Sequence, residues 1–304
     1  MNSSSAPHLR HAILGAGGVG GMMGACLAKC GDAVTMVVRR ESLASYPAQI
    51  QLESPFGNFS VPVAHAAEVP PCDVLWLTVK ATQLDAALTA ITNPAAVGAI
   101  VPLQNGIDHI ARLREKYGAE KVIPATIAGE MERVSAGCFV HRTPFLNLNF
   151  APQGKVLLEG TALQLRGMGF SCRFFEDEVT LMWSKLVFLA PFALTTTAAN
   201  MTTGEIFADA KWRDLGLSCI REACAVAVAE GAKLDANTVI AGVMKMPGNM
   251  RSSMQKDVEH GNPPEVDAIA GPILRGASRH GIEVPVTTSL VDQVERRAGV
   301  SRRV

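Results

Sequence analysis

A chain of 304 residues is long enough for about two domains, each with its own core. Lys plus Arg and Asp plus Glu balance at 28 each, so there is no global basic excess to hold nucleic acid or an anionic membrane surface. The seven cysteines are odd in number and form no C-x-x-C pair, which points to reduced thiols in the cytoplasm and not to a disulfide framework. The histidines lack metal-ligand spacing with a cysteine or a second histidine, so no metal is expected.

Residues 1–7 are Ser-rich and are expected to be disordered. The apolar stretch behind Arg10 could be taken for a signal peptide, but glycines interrupt it and a second strand follows. It reads instead as strand, glycine-rich turn and helix: Ile13-Leu14-Gly15-Ala16-Gly17-Gly18-Val19-Gly20. The glycines at 15, 17 and 20 have the spacing G-x-G-x-x-G. In a dinucleotide-binding unit the first allows a sharp turn, the second lets backbone approach a pyrophosphate, and the third lets helix pack closely on strand. The helix behind them, residues 19–30, presents free N–H groups and a positive dipole end. A tight turn without a ligand has the same local pattern.

Gly31 suits a helix C-terminus, and Val34-Thr35-Met36-Val37-Val38 reads as the second strand. Arg39 follows it directly. An arginine here meets the 2′-phosphate of NADP, whereas an acid accepts from the ribose of NAD. Arg39 favours NADP(H), and the nearby Glu41 leaves NAD open. Residues 51–54 and 59–63 read as strands around the turn Pro55-Phe56-Gly57-Asn58. Residues 73–79 form a continuous apolar run suited to a buried parallel strand, ending at Lys80 with a helix over 83–91. Residues 99–103 repeat the pattern and end at Gln104-Asn105-Gly106. Arg39, Lys80 and Asn105 thus lie at C-terminal strand ends, the edge at which open parallel sheets bind ligands. Residues 122–127, 139–141, 146–150 and 172–175 are expected to extend or edge that sheet.

After residue 177 the pattern turns helical, over 179–200, 211–230, 236–244, 266–280 and 285–298. The reading is an α/β fold with a Rossmann-type domain over 1–176 and an all-helical domain over 177–304. The basic tail, 296–304, is expected to fray. The run 186–200 is apolar, but it is short for a membrane span and holds Pro191 and several hydroxyls. Lys185 stands inside Leu181-Met182-Trp183-Ser184-Lys185-Leu186-Val187-Phe188-Leu189. A lysine there snorkels, pairs with a carboxylate, or serves a site as a proton donor of lowered pKa.

Over nearly its whole length the chain resembles the ketopantoate reductase (2-dehydropantoate 2-reductase) family. The matching pieces are Gly15-Ala16-Gly17-Gly18-Val19-Gly20, Arg39, Val79-Lys80-Ala81-Thr82-Gln83, Gln104-Asn105-Gly106, Trp183-Ser184-Lys185-Leu186, Ser252-Ser253-Met254-Gln255-Lys256-Asp257 and Glu265-Val266-Asp267. The resemblance implies a Rossmann domain and a C-terminal domain like that of 6-phosphogluconate dehydrogenase, with the site in the cleft between them. It implies NADPH as hydride donor and a small 2-oxo acid as acceptor. By position, Lys185 is the general acid, and Asn105 orients it and contacts the cofactor. Glu265 binds cofactor and sets the lysine's position and charge, Ser253 binds the substrate carboxylate, and Lys80 and Gln83 line the cofactor crevice. A homodimer is the expectation from the family and from the generality of twofold assemblies.

The sequence departs from the family at three positions. Asparagines that hold the substrate in pantoate-forming members are here Leu189, Ala193 and Thr203. That leaves a more apolar pocket, suited to ketopantoate or to a less polar 2-oxo acid. The competing readings are an NADP(H) sensor without chemistry and a related dehydrogenase acting on a 3-hydroxy acid or an opine.

Overall fold

A computed structural model describes residues 8–300 of the chain. Residues 1–7 and 301–304, on which the expected disorder and part of the expected fraying fall, lie outside the described residues. Two compact units divide the chain. Among the described residues, the first comprises 8–104 and 109–181, the second 105–108 and 182–300.

The first unit is built on a five-stranded parallel sheet in the order β5-β2-β1-β6-β7. Its strands are β1 (Arg10–Leu14), β2 (Ala33–Val37), β5 (Ala64–Ala66), β6 (Cys72–Leu77) and β7 (Val97–Pro102). β1 is central, with β2 on one side and β6 on the other, both parallel to it. Ile13, Val74, Leu75, Trp76 and Val101 are fully buried, as expected of strands covered on both faces.

The helix α1 (Gly18–Lys29) follows β1, and β3 (Gln49–Glu53) pairs antiparallel with β4 (Phe59–Pro62) across the expected turn. Short helices α2 (Leu84–Leu88) and α3 (His109–Tyr117) follow β6 and β7. Then come β8 (Ala125–Ala128), β9 (Met131–Ser135), β10 (Cys138–His141), β11 (Asn147–Phe150), the helix α4 (Lys155–Gly167) and β12 (Ser171–Phe174).

These later strands do not extend the parallel sheet, contrary to the sequence-based expectation. They form two sheets of their own, β4-β3-β10-β9 and β12-β11-β8, and only an isolated bridge from Val122 reaches Ile100 of β7. The reason lies in α1. One side of it packs on the parallel sheet, where Met36 lies against Gly24, and the other receives Phe139 of β10 against Gly21. A helix held between two sheets has no polar stripe, and Gly20 through Leu27 of α1 are all buried. The parallel pairing of β10 with β3 is what carries the chain away from the first sheet. The helix α4 is absent from the sequence reading because its outer face is apolar. Val156 is 99 % exposed and Leu163 is 66 % exposed, which blurs its periodicity.

The second unit is helical among the described residues: α5 (Glu178–Ala199), α6 (Thr203–Ala208), α7 (Ala210–Ala229), α8 (Ala236–Val243), α9 (Ser253–Glu259), α10 (Val266–His280) and α11 (Pro285–Ala298). Local chemistry sets its ends. Thr202 and Glu205 form a capping box on α6, and Asp209, Asp235 and Ser252 cap α7, α8 and α9. Gly281 and Gly299 close α10 and α11 in the left-handed conformation.

The helix α5 begins well before the run 186–200 and, at 22 residues, is long and apolar enough by length and composition to cross a membrane, contrary to the expectation of a short run. Packing decides the matter differently. Leu186, Val187, Ala190, Ala193 and Leu194 of α5 join Cys219, Ile220 and Ala223 of α7 and Ile269 and Ile273 of α10 in one buried core. A helix whose apolar face is used internally presents no span to lipid.

Candidate active site

The glycine turn sits at the C-terminal end of the central strand. Gly15 has φ +117°, and a side chain there would strike Val79 and Thr78 at 2.8–2.9 Å, so only glycine makes this turn. A Cβ on Gly20 would stand 1.9 Å from the Gly15 carbonyl oxygen, which fixes the close contact of helix and loop. Gly17 differs from both. A Cβ there would meet nothing within 4 Å, so its backbone faces open space. Gly17 is also the N-cap of α1, and no side chain caps that end. Open backbone, uncapped N–H groups and a helix dipole fit the pyrophosphate of a dinucleotide.

Thr78, which the sequence reading passed over, fastens the turn by donating from Oγ1 to the Gly15 carbonyl at 2.7 Å. Gln104, only 4 % exposed, donates from Nε2 to the Val79 carbonyl at 3.1 Å and ties the ends of β6 and β7 together. A polar residue at the end of an apolar strand is the signal that could have found Thr78.

Arg39 lies two residues beyond β2, with 79 % of its side chain exposed. Its Nε lies 3.5 Å from a Glu41 carboxylate oxygen. The two residues that argued for opposite cofactors therefore pair with each other. An exposed pair of this kind is worth under about 1 kcal/mol and yields readily to a phosphate. Lys80 precedes a short 3-10 turn after β6, and Gln83 ends that turn. Both are exposed. Ala16, Gly18 and Val19 complete the loop and the start of α1.

The second unit brings together three residues far apart in sequence. Lys185 Nζ donates to Asn105 Oδ1 at 3.0 Å, and Asn105 Nδ2 donates to Glu265 Oε2 at 3.1 Å. Each belongs to a different segment. Lys185 lies in α5, Asn105 opens the short Asn105–Asp108 stretch, and Glu265 is the N-cap of α10. The N-terminal dipole of α10 favours a carboxylate at that place. Gly106, with φ +83°, lets the stretch dock against α10, since a side chain there would strike the Ala268 carbonyl at 2.2 Å. Glu265 is 7 % exposed.

Burial lowers the Lys185 pKa to about 8, against an ordinary 10.5, and the Glu265 carboxylate pulls it partly back up. The amine is therefore poised near neutrality, as a proton donor requires. The thiols are the opposite case. Burial pushes Cys26 and Cys219 up to about 12, which makes them inert packing groups.

Ser253 is exposed at the first turn of α9. Its neighbour Ser252 is internal. The Ser252 Oγ accepts from Gln255 N–H at 3.1 Å and from Thr196 Oγ1 at 2.9 Å. Of the two adjacent serines, Ser252 is buried and Ser253 is exposed. Ala193 and Thr203 are 1 % and 3 % exposed, whereas Leu189 is half-buried.

A glycine turn at the switch point of a parallel sheet, with a lowered-pKa lysine in a following helical unit, is the build of a dinucleotide-dependent oxidoreductase. The family models for ketopantoate reductase PanE/ApbA match residues 11–152 and for its C-terminal part residues 179–298, and the chain belongs to this family. The chain is 30 % identical over 293 residues to the 2-dehydropantoate 2-reductase of Caulobacter vibrioides, covering 92 % of this chain and 96 % of that protein. Among solved structures it is similar to a 2-dehydropantoate 2-reductase from Geobacter metallireducens, with TM-score 0.83, 26 % identity and coverage of 95 % and 99 %. It also shares the fold of D-mandelate dehydrogenase, solved with NADH and anilino(oxo)acetate, with TM-score 0.84, 20 % identity and coverage of 95 % and 98 %.

Proposed function

We propose that the protein reduces a small 2-oxo acid to the 2-hydroxy acid with NADPH, with ketopantoate or a less polar analogue as substrate. The observation that carries this reading is the Lys185–Asn105–Glu265 chain, with the lysine's pKa brought down to about 8. In this reading residues 1–176 hold the cofactor and residues 177–304 bind substrate and form the dimer contact, and the protein works in the cytoplasm as a homodimer. The glycine turn, from Gly15 to Gly20, holds the pyrophosphate, and Arg39 turns from Glu41 to the 2′-phosphate. Lys80 and Gln83 line the rest of the cofactor's path, and Asn105 and Glu265 also reach it. When bound, the cofactor supplies the hydride.

Protonated Lys185 gives its Nζ proton to the carbonyl oxygen as the carbonyl carbon takes the hydride, so the C=O double bond becomes C–H and O–H. The neutral amine left behind regains a proton from solvent. Asn105 holds the amine in place through its Oδ1, and Glu265 keeps enough positive charge on it at neutral pH. Ser253 donates to the substrate carboxylate. The experiment is a panel of 2-oxo acids, ketopantoate included, followed by loss of NADPH absorbance. Turnover that vanishes in Lys185→Ala supports the assignment. Wild-type protein that oxidises NADPH with no 2-oxo acid overturns it.

A further inference from the structure

The apolar run of β6 is followed by a hydroxyl, and that hydroxyl does something the strand ladder does not require. β1 and β6 pair in register as far as Leu14 opposite Leu77. The Thr78 N–H adds one more bond to that ladder, donating to the Leu14 carbonyl at 2.9 Å. The next carbonyl, that of Gly15, belongs to a chain already turning away with φ +117°. Here the Thr78 side chain takes over. Its Oγ1 donates to the Gly15 oxygen at 2.7 Å, with the Leu14 oxygen at 3.2 Å. A hydroxyl has one proton to give, and the shorter contact makes Gly15 the principal acceptor.

The helix α1 closes the other side. A Cβ on Gly20 would stand 1.9 Å from the Gly15 oxygen and 2.6 Å from Thr78 Oγ1. The missing side chain at Gly20 therefore leaves the space in which this hydrogen bond sits. Gln104 repeats the device one strand further along, where its buried amide donates to the Val79 carbonyl beyond the end of β6. In both places a carbonyl past the end of one strand is held by a side chain that follows the next.

A trans peptide is planar, so its C=O and N–H point in opposite directions, and this chain has no cis peptide among the described residues. With the Gly15 oxygen fixed between Thr78 and α1, the N–H of the same peptide, that of Ala16, points away from both. Next to it, Gly17 faces open space and starts α1 without a side-chain cap. A flip of the Gly15–Ala16 peptide would exchange that N–H for a carbonyl oxygen, which repels an anion.

We propose that Thr78 is a positioning residue for the dinucleotide's pyrophosphate: its hydroxyl fixes the Gly15–Ala16 peptide so that the Ala16 N–H faces the phosphates together with the amides at the start of α1. Thr78 itself does not touch the cofactor. The inference rests on the dinucleotide reading of the glycine turn and is independent of the chemistry at Lys185.

Thr78→Val keeps the branched shape and removes the donor. It is expected to raise the Kd for NADP⁺ in titration calorimetry about tenfold, the scale of one lost hydrogen bond, and Thr78→Ser to stay within about twofold of wild type. In the phosphorus NMR spectrum of the bound nucleotide, Thr78→Val is expected to move the pyrophosphate resonances and leave the 2′-phosphate resonance in place. Thr78→Ala, which removes the donor with less bulk, is expected to do the same. An unchanged Kd overturns the inference. So does a loosened fold, which would move the 2′-phosphate resonance as well or leave Thr78→Ser as weak as Thr78→Val. Because the readout is binding, a protein that holds NADP⁺ but reduces no 2-oxo acid fails the reductase reading, while Thr78→Val still decides this one. Wild-type protein that binds no NADP⁺ overturns both.

Discussion

The glycine turn of the first unit and the lysine chain of the second are made by opposite means. The turn is contiguous in sequence and works through backbone: a φ that only glycine adopts at Gly15, a close approach at Gly20 and open space at Gly17. The lysine chain joins residues 80 and 160 positions apart and works through side chains. The turn tolerates no added atom at its two packed glycines, whereas the chain depends on charge and proton affinity. Changes in the first should therefore act on stability and cofactor binding, and changes in the second on the chemical step.

The sharpest way to break that contrast is Lys185→Ala. It is expected to lower kcat by about 10³-fold, within the range for loss of a general acid, while the NADPH Kd measured by fluorescence titration changes little. A parallel loss of NADPH binding would merge the two regions into one. Next in size is Gly20→Ala, which places a methyl into the Gly15 carbonyl. A cost of about 2–3 kcal/mol is expected, seen as a lowered Tm in calorimetry of the apoprotein. An unchanged Tm would mean that the loop is looser than its packing indicates.

Arg39→Ala is expected to raise the KM for NADPH about tenfold and leave that for NADH unchanged, since only the former carries the 2′-phosphate. Equal effects on both would move cofactor choice away from Arg39. The smallest effect is on the pH profile. Reduction needs protonated Lys185, so kcat/KM should be full below about pH 8 and fall as pH rises through that value. Glu265 raises the lysine's pKa, so Glu265→Gln should move the fall to lower pH. A profile that stays put would separate Glu265 from the lysine's charge.

The two regions also differed in how far they could be read beforehand. The glycine turn, Arg39 and Lys80 follow from local pattern, because a strand, a turn and a helix start are decided by neighbours in sequence. Lys185 stood out as a charge in an apolar run. Glu265 had no local signal, and the resemblance alone pointed to it. The structure gives it a place, as the N-cap of α10 within hydrogen-bond reach of Asn105. Ser253 differs again, since the structure shows only its exposed place on α9. Thr203 was read as a lost ligand, and its hydrogen bond to the Pro247 carbonyl is visible only once residues 44 apart meet.

The amino-acid sequence by itself determined the strands up to β7 other than the edge strand β5, the long helices after residue 177, the glycine turn and the family. These rest on periodicity, capping and short-range sterics, which act within a few residues. Tertiary structure alone decided that the later strands form separate sheets, that α1 lies between the parallel sheet and one of them, and that Lys185, Asn105 and Glu265 form one hydrogen-bonded chain. Strand pairing and the lowering of a lysine's pKa depend on which distant surfaces exclude water together, and no local pattern encodes that.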